Sequence, residues 1–158
     1  MNIRHIFSSM IAVSLWVALL GFHTATADPG YRQVANGTVV YLGVLPAAMV
    51  RGHHEDHPEA VMHNGIPRGR HVFHVMAAVF DAESGDQIKD AQVEARVAAL
   101  GLAGVSRPLE SMRIDDTITY GNYFTLRGEG PYDIQITIAR PGADTPAIVR
   151  FTYVHPPR

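Results

Sequence analysis

Nine histidines occur in this chain of 158 residues, and six of them fall between His53 and His74. Imidazole is the commonest metal ligand in proteins, and its neutral form suits copper, zinc, nickel and iron. The same stretch carries Glu55, Asp56, Glu59 and Met62, and Met76 follows two residues after His74. Thioether sulfur is soft and favours Cu(I). With no cysteine in the chain, thiolate metal sites, iron–sulfur clusters and a cysteine nucleophile are all excluded. The run His53-His54-Glu55-Asp56-His57 cannot turn all three imidazoles to one ion from a rigid strand, but on a loop it can supply two. In an extended strand His74 and Met76 project from the same face, and His71 projects from the other. The residues therefore point to copper held by imidazole and thioether, with iron or zinc as alternatives and His53, His57, His63, His74 and Met76 as candidate ligands. Ordinary roles compete with this reading: a His-rich loop can be merely solvated or pH-responsive, His74 can be a core histidine, and methionines often fill gaps in a core. His155, beside Pro156 and Pro157 at the chain end, is set aside.

Other chemistries find less support. No Gly-x-Ser-x-Gly elbow, phosphate-binding Walker loop or His-Glu-x-x-His helix is present. Asp115-Asp116 reads as a turn. No catalytic role is expected. The formal charge of −2 lacks the basic footprint of a nucleic-acid binder.

The elements that must position these groups begin after residue 27. Arg4 and His5 open the chain, residues 11–22 are apolar, and Ala25-Thr26-Ala27 supplies small residues before Asp28. This is the layout of a cleaved signal peptide, and its apolar run is shorter than the roughly 20 residues that span a bilayer. Cleavage leaves residues 28–158 as one domain of formal charge −3, with no later membrane span. The expected destination is the periplasm.

Strand chemistry, bounded by Gly, Pro, Asn or Asp, recurs over 38–45, 71–80, 91–100, 109–114, 117–126, 132–138 and 147–154. The stretch 91–100 would also tolerate a helix. About seven strands at this spacing imply an all-β, antiparallel sandwich of immunoglobulin-like type. A loop at 46–70, broken by prolines and glycines, carries four of the histidines; long loops of this kind tend to be functional or disordered.

Met112, Thr119-Tyr120-Gly121-Asn122, the turn 128–132 and the strand 134–138 together resemble periplasmic iron-transport-associated proteins with an immunoglobulin-like fold. The resemblance covers about residues 70–140. It implies binding of copper, and by proposal iron, through His, Met and a carboxylate at a dimer-associated site, hence a homodimer. Separately, Gly130-Pro131-Tyr132 resembles the opening of an immunoglobulin-like F strand, which implies that Tyr132 bonds back to the backbone at a strand corner. The family resemblance makes Met112 a ligand from a neighbouring strand. Two positions depart from the family: Ser111 stands where it has proline, and Thr119 where it has a histidine ligand. The expectation is a periplasmic protein that binds metal and delivers it to an envelope transporter or acceptor. The alternative is a non-metal interaction module on the same sandwich, and a third option is a small-molecule binder using Tyr120, Tyr123 and Phe124.

Overall fold

The computed structural model describes residues 30–50, 65–114 and 116–155. The leader expected over 1–27 lies outside them, as do His53, His57 and His63. The described chain runs β1 (Arg32–Ala35), β2 (Thr38–Pro46), α1 (Ala47–Val50), β3 (Val72–Asp81), β4 (Gln92–Ala99), β5 (Val105–Ile114), β6 (Thr117–Thr125), β7 (Tyr132–Ala139) and β8 (Ala147–Tyr153). All strand pairings are antiparallel, in the order β1-β2-β3-β6-β5-β4-β7-β8. Because β1 also lies against β8, the sheet is nearly closed.

Seven strands match the sequence expectation; β1 makes an eighth. It is joined to β2 by Asn36-Gly37, both at positive φ, the backbone that a tight hairpin turn demands. β4 is a strand rather than a helix: Val93, Ala95 and Val97 face inward while Gln92 and Glu94 are exposed. β5 begins at Val105, earlier than expected. Residues 105–109 bond to β4 and 110–114 bond to β6, so this strand crosses from one half of the sheet to the other. Pro108 sits in the half bonded to β4 alone, where a missing N–H costs least.

The interior comes from alternation along each strand. Ile134, Ile136 and Ile138 have no solvent exposure, and Val75, Ala77, Val79, Tyr120, Phe124 and Phe151 join them. Burying each large apolar side chain contributes about 1.5–3 kcal/mol. Tyr120 satisfies its hydroxyl inside this core, donating to the Ile88 carbonyl and accepting from the Ala91 N–H, both at 3.1 Å.

Both ends of the nearly closed sheet are tied. At one, Asn36 Nδ2 donates to the Pro146 carbonyl at 3.0 Å, and Arg140 pairs with Asp81 at 2.8 Å. At the other, Tyr132 Oη donates to the Arg127 carbonyl at 2.5 Å, as expected of a corner tyrosine. His155 belongs to this second end and is not incidental. Its ring packs on Phe73 with centroids 4.6 Å apart and meets Tyr132 and Tyr153 edge-on. Among the described residues no helix is long and apolar enough to cross a membrane.

Candidate metal centre

Paired residues in an antiparallel sheet share a face, so the register of β2, β3, β6 and β5 fixes what stands beside His74. The core takes Phe73, Val75, Ala77 and Val79 from β3, leaving His74 and Met76 on the outward face. Leu45, His74 and Tyr123 form one row across the sheet. Gly43, Met76, Gly121 and Glu110 form the next. Met112 and Thr119 are paired one step further along. An outward sheet face is ordinarily wet, yet His74 is 1% exposed, Met112 2% and Tyr123 4%.

The imidazole of His74 stacks on Tyr123, its cross-strand neighbour, with centroids 4.7 Å apart and planes 26° from parallel. The ring then reaches over Gly121. A Cβ built on that glycine would stand 2.5 Å from His74 Nε2 and 3.1 Å from its Cε1. Only a residue without a side chain leaves the ring this berth. Glu110 lies directly opposite Gly121 on β5. Met112 is its diagonal neighbour, a separation of about 7–8 Å between backbones that long side chains span. Asn122 holds this corner in place: its Nδ2 donates to the Pro108 carbonyl at 2.7 Å, where β5 leaves β6, and its Oδ1 accepts from the Tyr123 N–H at 2.7 Å.

Met76 faces outward beside His74, as its spacing requires, but it leans the other way. Its Cε lies 3.2 Å from where a Cβ on Gly43 would be, on the β2 side, whereas His74 Nε2 lies over Gly121 on the β6 side. Thr119 Oγ1 is buried with no hydrogen-bond partner among the described residues, and its strand partner is Met112.

The structure thus puts His74, Met76 and Met112 on one face, around Gly121. His53, His57 and His63 fall outside the described residues. His71 stands apart, its Nε2 accepting from Arg70 Nε at 2.9 Å. Tyr120 and Phe124 point into the core while Tyr123 points out, which removes the small-molecule site imagined for the three together. Sequence reasoning did not single out Glu110, nor the floor that Gly121 provides; neither has a signal until register is known. Among the described residues no three His, Asp or Glu side chains come close enough to hold an ion. An open hollow of about 590 Å³ near Asp81, Asp86, Lys89 and Arg140 lies elsewhere, and its Asp81 carboxylate is already engaged by Arg140.

The fold has known counterparts. No protein family matches the sequence and no curated protein matches it, but solved structures share its architecture. A copper-bound variant of FetP from uropathogenic Escherichia coli strain F11 superposes with a TM-score of 0.58 at 14% identity, covering 80% of this chain and 94% of its own. A protein of the DUF4426 family from Pseudomonas aeruginosa PAO1 gives 0.58 at 16% identity, over 80% and 94% of the two chains. FetP as isolated after expression in the periplasm of E. coli gives 0.56 at 16% identity, over 79% and 93%. The resemblance seen in the sequence motifs therefore extends to the backbone over about 80% of this chain. At these identities, 14% and 16%, the likeness shows a shared fold.

Proposed function

We propose that this is an exported, periplasmic metal-binding protein that takes up copper on the outward face of its sheet and passes it to an acceptor in the cell envelope. The observation that carries the reading is the His74 imidazole lying over the bare Cα of Gly121, buried, with Met112 and Glu110 on the adjoining strand and Met76 beside it. Copper accepts both nitrogen and thioether donors, and the imidazole of His74 and the thioethers of Met76 and Met112 on this face favour it over iron or zinc. The FetP structures, one of them copper-bound, support this choice, and the corner bond of Tyr132 supports an immunoglobulin-like description of the nearly closed sheet. His53, His57 and His63 remain candidate ligands from the segment between α1 and β3.

The test is titration of the purified protein with Cu(I), Cu(II), Zn(II) and Fe(II). The expected result is a sub-micromolar copper site that His74→Ala abolishes while the circular dichroism of the variant stays that of a β-protein. Absence of any sub-micromolar site would overturn the proposal. The competing interaction-module reading has one observation in its favour: Leu100, Leu102 and Val105 stand 74%, 67% and 55% exposed at the β4–β5 connection.

A further inference from the structure

β5 and β6 part at one end of the sheet. Glu110 pairs with Gly121, but residues 105–109 turn away to β4, and from Tyr123 onward β6 has a strand neighbour on its β3 side alone. The Leu126 N–H donates to the His71 carbonyl, so by antiparallel alternation the N–H and C=O of Thr125 point the other way, into the parting. Those of Ser106 point into it from β5, in step with Glu110. The first step of the parting is blocked: Pro108 has no N–H, and the Asn122 side chain bonds the Pro108 carbonyl and the Tyr123 N–H. Ser106 and Thr125 are exposed, and an open edge of this kind is a template for another strand. Beside it lies a hollow of about 370 Å³ lined by Val97, Leu102, Val105, Leu126 and Tyr132. Its rim is firmly held. The Leu102 N–H donates to the Ala99 carbonyl at 2.9 Å and the Leu100 N–H to the Pro131 carbonyl at 3.1 Å, and a Cβ on Gly104 would stand 3.0 Å from the Ala98 Cβ. Leu102 and Val105 nevertheless stay 67% and 55% exposed. The Arg107 guanidinium crosses the parting at one end, 5.9 Å from the centre of the Phe124 ring, and Arg127 lines the hollow at the other. Neither has a carboxylate partner among the described residues.

We propose that the parting of β5 and β6 is a docking groove for an extended, acidic peptide segment of a partner protein. The segment adds as a strand, exchanges main-chain hydrogen bonds with Thr125, lays an apolar side chain in the hollow and sets carboxylates against Arg107 and Arg127. Each part of this chemistry answers a separate feature. The open edge takes main chain in extended form, the hollow takes an apolar side chain, and guanidinium groups without partners take carboxylates. The spacing agrees. Arg107 stands beside Phe124, three residues from Arg127 along the chain of β6, which is about 10 Å of strand. On a bound strand the residues two before and two after a central apolar one share its face and lie about 13 Å apart, a difference that long arginine side chains take up. The groove needs no metal, so it stands apart from the copper reading.

The probe is a fluorescein-labelled peptide, Ser-Glu-Thr-Leu-Thr-Glu-Ser, whose pattern reads alike in either strand direction; its control carries lysine in place of both glutamates. Fluorescence anisotropy with the purified protein is expected to give saturable binding with a Kd of about 100 μM or tighter. Binding is expected to weaken by about tenfold or more for the lysine peptide, and likewise for the glutamate peptide with the Arg107→Glu/Arg127→Glu variant. In isotope-labelled wild type the Thr125 and Ser106 amide resonances are expected to shift, and the hydrogen exchange of the Thr125 amide to slow by about tenfold. Thr125→Pro removes the edge N–H without removing a bond to β3, and is expected to weaken binding about tenfold while the circular dichroism stays that of a β-protein. An absence of saturable binding, equal binding of the lysine peptide, or unmoved Thr125 and Ser106 amides in the wild type would overturn the inference. So would a second copy in the groove, seen as concentration-dependent protection of those amides with no peptide present, or phosphatidylglycerol vesicles that shift them as far as the peptide does.

Discussion

At position 121 a single added methyl group would stand 2.5 Å from His74 Nε2. The backbone there is not left-handed, so alanine can adopt it, and the conflict falls on the imidazole. Gly121→Ala must therefore push the ring off its berth and out of its stack on Tyr123. Overpacking of this kind costs about 1–3 kcal/mol, readable as a lower midpoint in urea. We expect copper affinity to fall at least as far as in His74→Ala; a variant that is destabilised yet binds copper normally would separate the berth from the site. Thr119 invites the complementary comparison. Where the resembling family has a histidine, this chain has a hydroxyl without a hydrogen-bond partner among the described residues, so Met112 is the candidate ligand of that strand pair.

The elements matter through β5. This strand changes partners between Leu109 and Glu110, and the Asn122 side chain bridges the place where the two strands part. Removing that side chain takes one hydrogen bond from the Pro108 carbonyl and one from the Tyr123 N–H. Asn122→Ala is expected to lower stability by about 1–3 kcal/mol and to speed hydrogen exchange at Glu110 and Met112 more than at Ile134 or Ile136; uniform exchange would show that Asn122 does not hold the crossing. The central strands were legible in the sequence because one buried face imposes a period of two, as in Ile134, Ile136 and Ile138. β1 was not, since four residues with alternating partial burial give periodicity nothing to work on. The Asn36-Gly37 turn was its only advance notice. The full span of β5 was hidden by Pro108. The site was half legible: spacing placed His74 and Met76 on one face, but which way each leans depends on Gly43 and Gly121 in neighbouring strands, and only register reveals that.

At the scale of the whole molecule, the nearly closed sheet is held by a cluster around Asp81. Its carboxylate accepts from the Ser84 and Glu83 N–H groups at 3.0 Å each and from Arg140 at 2.8 Å. The Ser84 N–H, then the Arg140 side chain and the Glu83 N–H, hold its pKa down to about 2 from the usual 3.8. Folding therefore favours the ionised form. The stability this group contributes is complete above its ordinary pKa of 3.8 and is lost as the pH falls through about 2. Asp81→Asn is expected to flatten the acid limb of the stability curve across that interval while leaving copper binding at neutral pH unchanged, because Asp81 lies at the far end of β3 from His74. An acid limb identical to that of the wild type would mean that the cluster carries no weight in closing the sheet.

X-ray absorption at the copper edge of the loaded protein tests the central claim most directly. Nitrogen and sulfur scatterers in the first coordination shell, with the sulfur contribution lost in the Met76→Leu/Met112→Leu double variant, are what a centre built over Gly121 predicts. A shell of nitrogen and oxygen alone would contradict it.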